Sequence, residues 1–466
     1  MRRSLLPVLF AALTACSSSN AASDGAGNDA TTPIDSAIDD ATSADVTGEG
    51  AIDALGALDA RSDGDEVNFD DDLPFAKQRK SCAFKAGDKP SATFGPSIAK
   101  LDIPLDVIVI AMQENRSFDH YFSQLPAAGQ PDVDVAKPDQ KLPDGTGTAA
   151  RFHQTDYCFA DADHSWSGSH NDVNGGKNDQ FVDGNNPGGT RAIGWFDQSD
   201  LPFYYALATT YGVGDRHFCS VLGPTFPNRL YLYEGTSSGH ISNVTQTAGP
   251  KTIFEALTAA KVSWKIYSYS TTQPLEGVYG TSLATKYPGQ VAAIGTFPAD
   301  AAAGKLAQVI FMDAGSSEHP PGDMQLGEVA VQKAYNALAT SPQWAHAAFI
   351  LTYDENGGLY DHVPPAKACV PDAIKPIGGA GAFDSTGFRV PLVIASPYSK
   401  PHYVSHQVTD ATSILRFLEL KFDLPALTAR DANASTLIDY FDFGKTPFAT
   451  PPKLATATVD AAKKCP

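Results

Sequence analysis

Leu105-Asp106-Val107-Ile108-Val109-Ile110-Ala111-Met112-Gln113-Glu114-Asn115-Arg116 is the stretch that decides the fold. Leu105 to Met112, apolar but for Asp106 and rich in β-branched side chains, reads as a strand buried on both faces. The apolar run stops at once in Gln113-Glu114-Asn115-Arg116. Working outward, Val262 to Tyr267, Gln308 to Met312, Ala348 to Tyr353 and Val390 to Ala395 have the same character. Helical periodicity falls between them, over Lys251 to Lys261, Gly327 to Leu338 and Thr412 to Leu420. This alternation predicts an α/β fold, a three-layer sandwich with a largely parallel central sheet. Two Gly-rich stretches, Asn171 to Gly189 and Pro371 to Gly387, read as long surface loops, and loops of that length are usually functional.

The first hundred residues are of another kind. Arg2 and Arg3 precede a short apolar run, Leu5 to Leu13, too short to cross a bilayer but suited to a signal peptide. It ends in Leu13-Thr14-Ala15-Cys16, similar to a bacterial lipobox whose cysteine becomes a lipidated N-terminus; the other reading is an ordinary signal peptide with a stray cysteine. From Ser17 to Asp72 there are 15 acidic residues and one basic residue, Arg61, so this segment holds most of the formal net charge of −19. Such a sequence buries too little apolar surface to offset chain entropy and should be a disordered tether. The expected organisation is a lipoprotein signal peptide at 1–16, an acidic linker at 17–75 and a folded domain at 76–466. The acidity argues against nucleic acid as a partner. The expected location is outside the cytoplasm, as a cell-envelope lipoprotein or a secreted protein. Without Cys16 five cysteines remain, enough for two disulfides whose pairing the sequence does not fix.

Chemistry is expected where the strands end, because open α/β sheets bind ligands at the carboxyl ends of their strands. Glu114-Asn115 and Asp354-Glu355 each place two oxygen donors on a turn after a strand. Brought together, three carboxylates and an amide call for a divalent cation, with Ca, Mg, Mn, Zn or Fe all compatible. Read singly, each pair is equally a helix N-cap. Thr225, in Gly223-Pro224-Thr225-Phe226-Pro227-Asn228-Arg229, stands on a Pro-flanked turn before a helix, where backbone N–H groups favour phosphate. On its own it reads as a structural cap; beside a metal its hydroxyl would be an activated nucleophile. His164, His319 and His362 lie in polar loops, where imidazoles can bind phosphoryl oxygens or protonate a leaving alkoxide.

Five motifs in order then resemble the bacterial phospholipase C and acid phosphatase family. They are Val107 to Phe122 with Glu114-Asn115-Arg116-Ser117-Phe118-Asp119-His120, Gly223-Pro224-Thr225 to Arg229, Ser317-Glu318-His319-Pro320-Pro321, Thr352 to Pro365 with Asp354-Glu355-Asn356-Gly357-Gly358, and Gly387 to Pro391 continuing into Leu424 to Ala434. The resemblance implies an alkaline-phosphatase-like superfold and a phosphoesterase catalytic domain. It implies Thr225 as nucleophile, Glu114, Asn115, Asp354, Glu355 and Thr225 around one metal ion, and His164 and His319 at the phosphoryl or leaving group. Asn228 and His362 are expected to contact substrate. The implied reaction passes through a phosphothreonine, in a phospholipase C releasing diacylglycerol and a phosphorylated head group. An acid phosphatase acting on monoesters is the alternative, and an inactive surface-displayed binding protein the distant one. Expected partners are a phospholipid or small phosphate ester and, through Cys16, the membrane surface. One departure stands out: relatives commonly carry Asp-His-Thr-Ser where this chain has Asp410-Ala411-Thr412-Ser413.

Overall fold

The computed structural model describes residues 69–465 apart from 250 and 314–316. The signal peptide, the Cys16 lipobox and the linker up to residue 68 lie outside the described residues. Eight strands form one sheet: β1 Val107–Gln113, β2 Gly212–Gly214, β3 Trp264–Ser268, β4 Val291–Ala293, β5 Val309–Asp313, β6 Ala347–Tyr353, β7 Leu392–Ala395 and β8 Tyr403–Ser405. Their order is β8-β2-β7-β6-β1-β5-β3-β4. All strands run the same way except β7, which is antiparallel to both β6 and β2. The expected α/β architecture with a largely parallel sheet is therefore present.

Each residue of β1 is buried, and its side chains divide between two cores. Val107, Val109 and Ala111 enter one with Tyr204, Val331 and Tyr335; Ile108, Ile110 and Met112 enter the other with Leu230, Ile414 and Leu418. Burying each such aliphatic side chain contributes about 1.5–3 kcal/mol, so two full cores need helices on both faces. The helices that matter below are α1 Leu73–Lys80, α2 Phe118–Phe122, α3 Trp166–Val173, α4 Pro202–Thr210, α5 Thr225–Glu234, α6 Met324–Ala339 and α7 Ala411–Phe422. Helices α4 and α6 supply the first core, α5 and α7 the second. Among the described residues, no helix is long and apolar enough to cross a membrane.

The folded body takes in Asp71 and Asp72, which the composition had assigned to the linker. Asp72 pairs with Arg79 at 2.5 Å and accepts the Gly95 N–H at 2.8 Å, while Asp71 accepts the Ser97 hydroxyl at 2.7 Å. The stretch 171–189 is also more ordered than a plain loop, since it completes α3 and contains a short 3-10 turn at Asp183–Asn185. Cys82 pairs with Cys369 and Cys158 with Cys465, leaving Cys219 free and buried.

Candidate active site

Register delivers the acidic turns to one place. In the parallel ladder of β1 and β6, Gln113 stands opposite Tyr353, so Glu114-Asn115 and Asp354-Glu355 leave the same edge side by side. On the other flank of β1, Met112 stands opposite Asp313, the last residue of β5. The Asn115 amide donates to Glu355 Oε1 at 2.5 Å, and the Asp354 backbone N–H donates to the Gln113 carbonyl at 3.0 Å. Glu355 Oε2 accepts the Gly357 N–H at 2.6 Å. Gly357 has φ of +65°, and a side chain there would strike Asn115 at 2.9 Å, so the turn closes only with glycine.

Arg229 closes the group. Its buried guanidinium donates to Asp354 at 2.9 Å and to Glu114 at 3.2 Å, with Asp313 at 3.6 Å and Glu276 at 4.0 Å. One cation thus faces four carboxylates. Burial pushes the Asp354 carboxyl up; Arg229 opposes this, but Glu114 and Glu355 add to it, and the net shift is well above the ordinary carboxylate range. Burial likewise lifts Glu276 to about 7 against the pull of Arg229, aided by Asp313 and Glu114.

Thr225 opens α5 and is buried, one helical turn before Arg229 on the same face. Pro224 is the N-cap, with no side-chain capping bond, and the Thr225 hydroxyl makes no hydrogen bond to any described residue. It does not act as a helix cap.

His164 joins the cluster directly: Nδ1 lies 2.6 Å from Glu355 Oε1 and Nε2 3.3 Å from Asp161. Burial disfavours its charge, but Glu355 and Asp161 outweigh that and hold the imidazole cationic, at about 11. His319 faces His164 with ring centres 5.2 Å apart and turns Nε2 toward Asp161 at 3.8 Å. Its Nδ1–H donates to the Pro320 carbonyl at 2.6 Å. The adjacent Glu318 is wholly buried and fixes this loop, accepting from Tyr204 at 2.5 Å and from Tyr121 and Tyr353 at 2.7 Å.

Two expected substrate contacts are elsewhere engaged. Asn228 is fully buried and braces the turn before Thr225, accepting from Val221 N–H at 2.9 Å and donating to the Gly223 carbonyl at 2.8 Å. The same amide nitrogen reaches the Pro224 carbonyl at 3.2 Å, so both of its N–H groups are used in the turn that carries Thr225. His362 belongs to a separate ion network, bonded to Asp119 at 2.6 Å and Asp134 at 3.2 Å beside buried Arg389 and Asp361. Its partners are not those of the Thr225 cluster. Ala411, at the departing motif, is buried in the first turn of α7.

A metal ion fits the donor set. Asn115 Oδ1 is buried with no hydrogen-bond partner, among Glu114, Asp354 and Glu355, and hard oxygen donors of that kind suit a divalent cation. Among the described residues, Asp161, His164 and His319 also bring one donor atom each within 4.8 Å of one another, as do Asp119, Asp361 and His362, and His153, Asp197 and Asp200. The Glu114–Asp354–Glu355 set is not that tight, with Arg229 bridging two of its members.

Sequence reading passed over Asp161 and Glu276, and it gave Arg229, Glu318 and Asp313 no role of their own. The spacing of Arg229 four residues after Thr225 was a usable signal; Glu276 arrives from a loop with no motif around it.

The chain matches the Phosphoesterase family over residues 105–425. It is similar to phospholipase C B of Mycobacterium tuberculosis, 34% identical over 78% of this chain and 82% of that protein. It is also similar to non-specific phospholipase C6 of Arabidopsis thaliana, 30% identical over 74% of this chain and 73% of that protein. A solved structure from the alkaline phosphatase superfamily of Vibrio parahaemolyticus overlaps 77% of this chain and 76% of its own, at 10% identity and a TM-score of 0.36. The edge that gathers Glu114, Asn115, Asp354 and Glu355, joined to α5 through Arg229, thus lies within the matched region, and the chain belongs to the phosphoesterase family, as a hydrolase of phosphate ester bonds.

Proposed function

We propose that this chain is a phospholipase C that transfers the phosphorylated head group of a phospholipid to Thr225 and then to water. The observation that carries the reading is Thr225 itself: a residue with no capping bond, at a helix N-terminus, one turn from an arginine that grips Asp354 and Glu114. The relatives named phospholipase C support the substrate class.

Glu114, Asn115, Asp354 and Glu355, with Thr225 as a fifth donor, would hold one divalent cation, which when bound lowers the hydroxyl pKa and offsets phosphate charge. The Thr225 N–H at the start of α5 and the Arg229 guanidinium orient the phosphoryl oxygens. The Thr225 oxygen, its proton lost to solvent, bonds to phosphorus in line with the diacylglycerol oxygen, whose bond to phosphorus breaks. His319 gives its Nε2 proton to that leaving alkoxide. It suits the task because its Nδ1–H is fixed by the Pro320 carbonyl, whereas both nitrogens of His164 are committed to Glu355 and Asp161. His164 instead supplies a standing positive charge. Water then attacks phosphorus, returns a proton to His319 and releases the phosphorylated head group with Thr225 regenerated.

Export through the signal peptide and anchoring through Cys16 belong to the same reading. Two disulfides in a chain of this size suit an oxidising compartment. The test is turnover of purified protein on phosphatidylcholine, sphingomyelin and a chromogenic phosphomonoester, before and after EDTA. EDTA-sensitive release of diacylglycerol supports the reading; turnover of the monoester alone would replace it with an acid phosphatase.

A further inference from the structure

Two loops frame the N-terminal turn of α5. The first, 237–249, is tied to the nucleophile turn, because the Phe226 N–H donates to Asn243 Oδ1 at 2.8 Å. The second, 367–381, is tied to the first through the Ile377 N–H and the Gly239 carbonyl at 2.8 Å. At its base Asp372 accepts from the Thr236 hydroxyl and from the Ile374 N–H, each at 2.7 Å. It also reaches the His164 segment, where the Trp166 indole N–H donates to the Ala380 carbonyl at 3.2 Å. Gly239, with φ of +87°, lets Ile374 and Ile377 lean on bare backbone; a side chain there would meet them at 2.8–3.0 Å. The pair of loops therefore borders both Thr225 and His164.

Their outward chemistry differs from that of the rest of the surface. Ten large apolar side chains are exposed among the described residues, and four of them, Val244, Val370, Ile374 and Ile377, are on these two loops, the last at 60%. Lys367 and Lys375 are exposed beside them. The one acid of 367–381, Asp372, is occupied at the loop base. On a chain of net charge −19 this is a locally basic and apolar rim. Apolar side chains interspersed with lysines match a lipid–water boundary, where the lysines meet anionic head groups and the isoleucines enter the acyl layer.

We propose that loops 237–249 and 367–381 form a docking rim that seats the Thr225 site on an anionic phospholipid surface. The inference rests on the phospholipase reading above, and supplies what that reading lacks: a way for a lipid to reach Thr225 without first leaving the bilayer through water.

The full chain, with Cys16 unacylated, is sedimented in EDTA with vesicles of phosphatidylcholine alone or mixed with phosphatidylglycerol. Ile374→Asp/Ile377→Asp should lower partition onto both vesicles at least about tenfold. Lys367→Glu/Lys375→Glu should remove the preference for anionic vesicles, about fivefold for each lysine lost. Both variants should still hydrolyse a water-soluble chromogenic phosphodiester at the wild-type rate, which shows that they fold. Unchanged partition of the isoleucine variant would overturn the proposal, as would loss of protein self-association, without vesicles, in that variant. The two readings separate cleanly. Rim-dependent binding without diacylglycerol release removes the phospholipase and keeps the rim; release with variant partition unchanged does the reverse.

Discussion

Arg229→Met is the perturbation with the most to say about the site. The guanidinium is fully buried and touches Asp354 and Glu114 directly, with Asp313 and Glu276 within 4.0 Å. Methionine keeps the length of the side chain and deletes the charge, leaving four carboxylates crowded with no cation among them. Breaking a buried pair from one side costs about 3–5 kcal/mol, because the charges left behind are uncompensated. For a folded body of this size that is a fall in midpoint of about 4 to 6 °C in EDTA. The cost should shrink when a divalent cation is supplied, since the cation replaces the lost charge; at a hundredfold excess over Kd the recovery is about 2.7 kcal/mol. Thermal unfolding of wild type and variant, with EDTA and then with Ca²⁺ or Mn²⁺, reads both numbers. A variant that unfolds within about 1 °C of wild type in EDTA would refute the idea that Arg229 holds this cluster together. A variant indifferent to added cation would refute the idea that the cluster is a metal site.

Asn228→Ala should cost about 1–3 kcal/mol by stranding the Val221 N–H and the Gly223 carbonyl, and should lower kcat more than it raises KM, because it loosens the turn that carries Thr225. His362 carries a pH signature. Burial disfavours its charge, but Asp119 and Asp134 raise its pKa to about 9. Its stabilising contribution is therefore complete below the unfolded value of about 6.5 and is lost as pH rises through about 9. The stability gap between wild type and His362→Asn, from urea unfolding, should be constant below pH 6 and close between pH 7 and 10. Replacing Cys82 and Cys369 by serine removes a closure spanning 287 residues and should cost about 2–5 kcal/mol, measured as a lower urea midpoint.

The strands that carry the site were legible because they are long, β-branched and end in acids. Val107–Gln113 and Ala347–Tyr353 were both anticipated to within two residues, and with them the meeting of Glu114-Asn115 and Asp354-Glu355. Gly212–Gly214 was invisible for a physical reason: the Tyr440 ring lies over it, and a side chain at Gly214 would strike the Tyr440 hydroxyl. The residues that suit this strand to its neighbour are those that erase its strand signal. Function labels were harder than elements. Asn228 and His362 are polar residues inside motifs, and sequence does not say whether such a side chain faces substrate or holds backbone. Arg229 was in view but silent, since its worth comes from four acids drawn from four separate segments. Glu276 comes in on a loop that Asp313 anchors by accepting the Leu275 N–H at 2.8 Å, a long-range bond that leaves no local pattern.

The central claim is that the Thr225 hydroxyl attacks phosphorus. Substrate turned over at steady state and quenched in acid within milliseconds, followed by peptide mass mapping, should find phosphate or its head-group ester on Thr225 and on no other residue. Thr225→Ala should abolish the adduct and lower turnover by several orders of magnitude at saturating divalent cation with the unfolding midpoint unchanged, while Thr225→Ser keeps both adduct and activity. Near-wild-type turnover by Thr225→Ala, or an adduct that maps to another residue, would contradict the account.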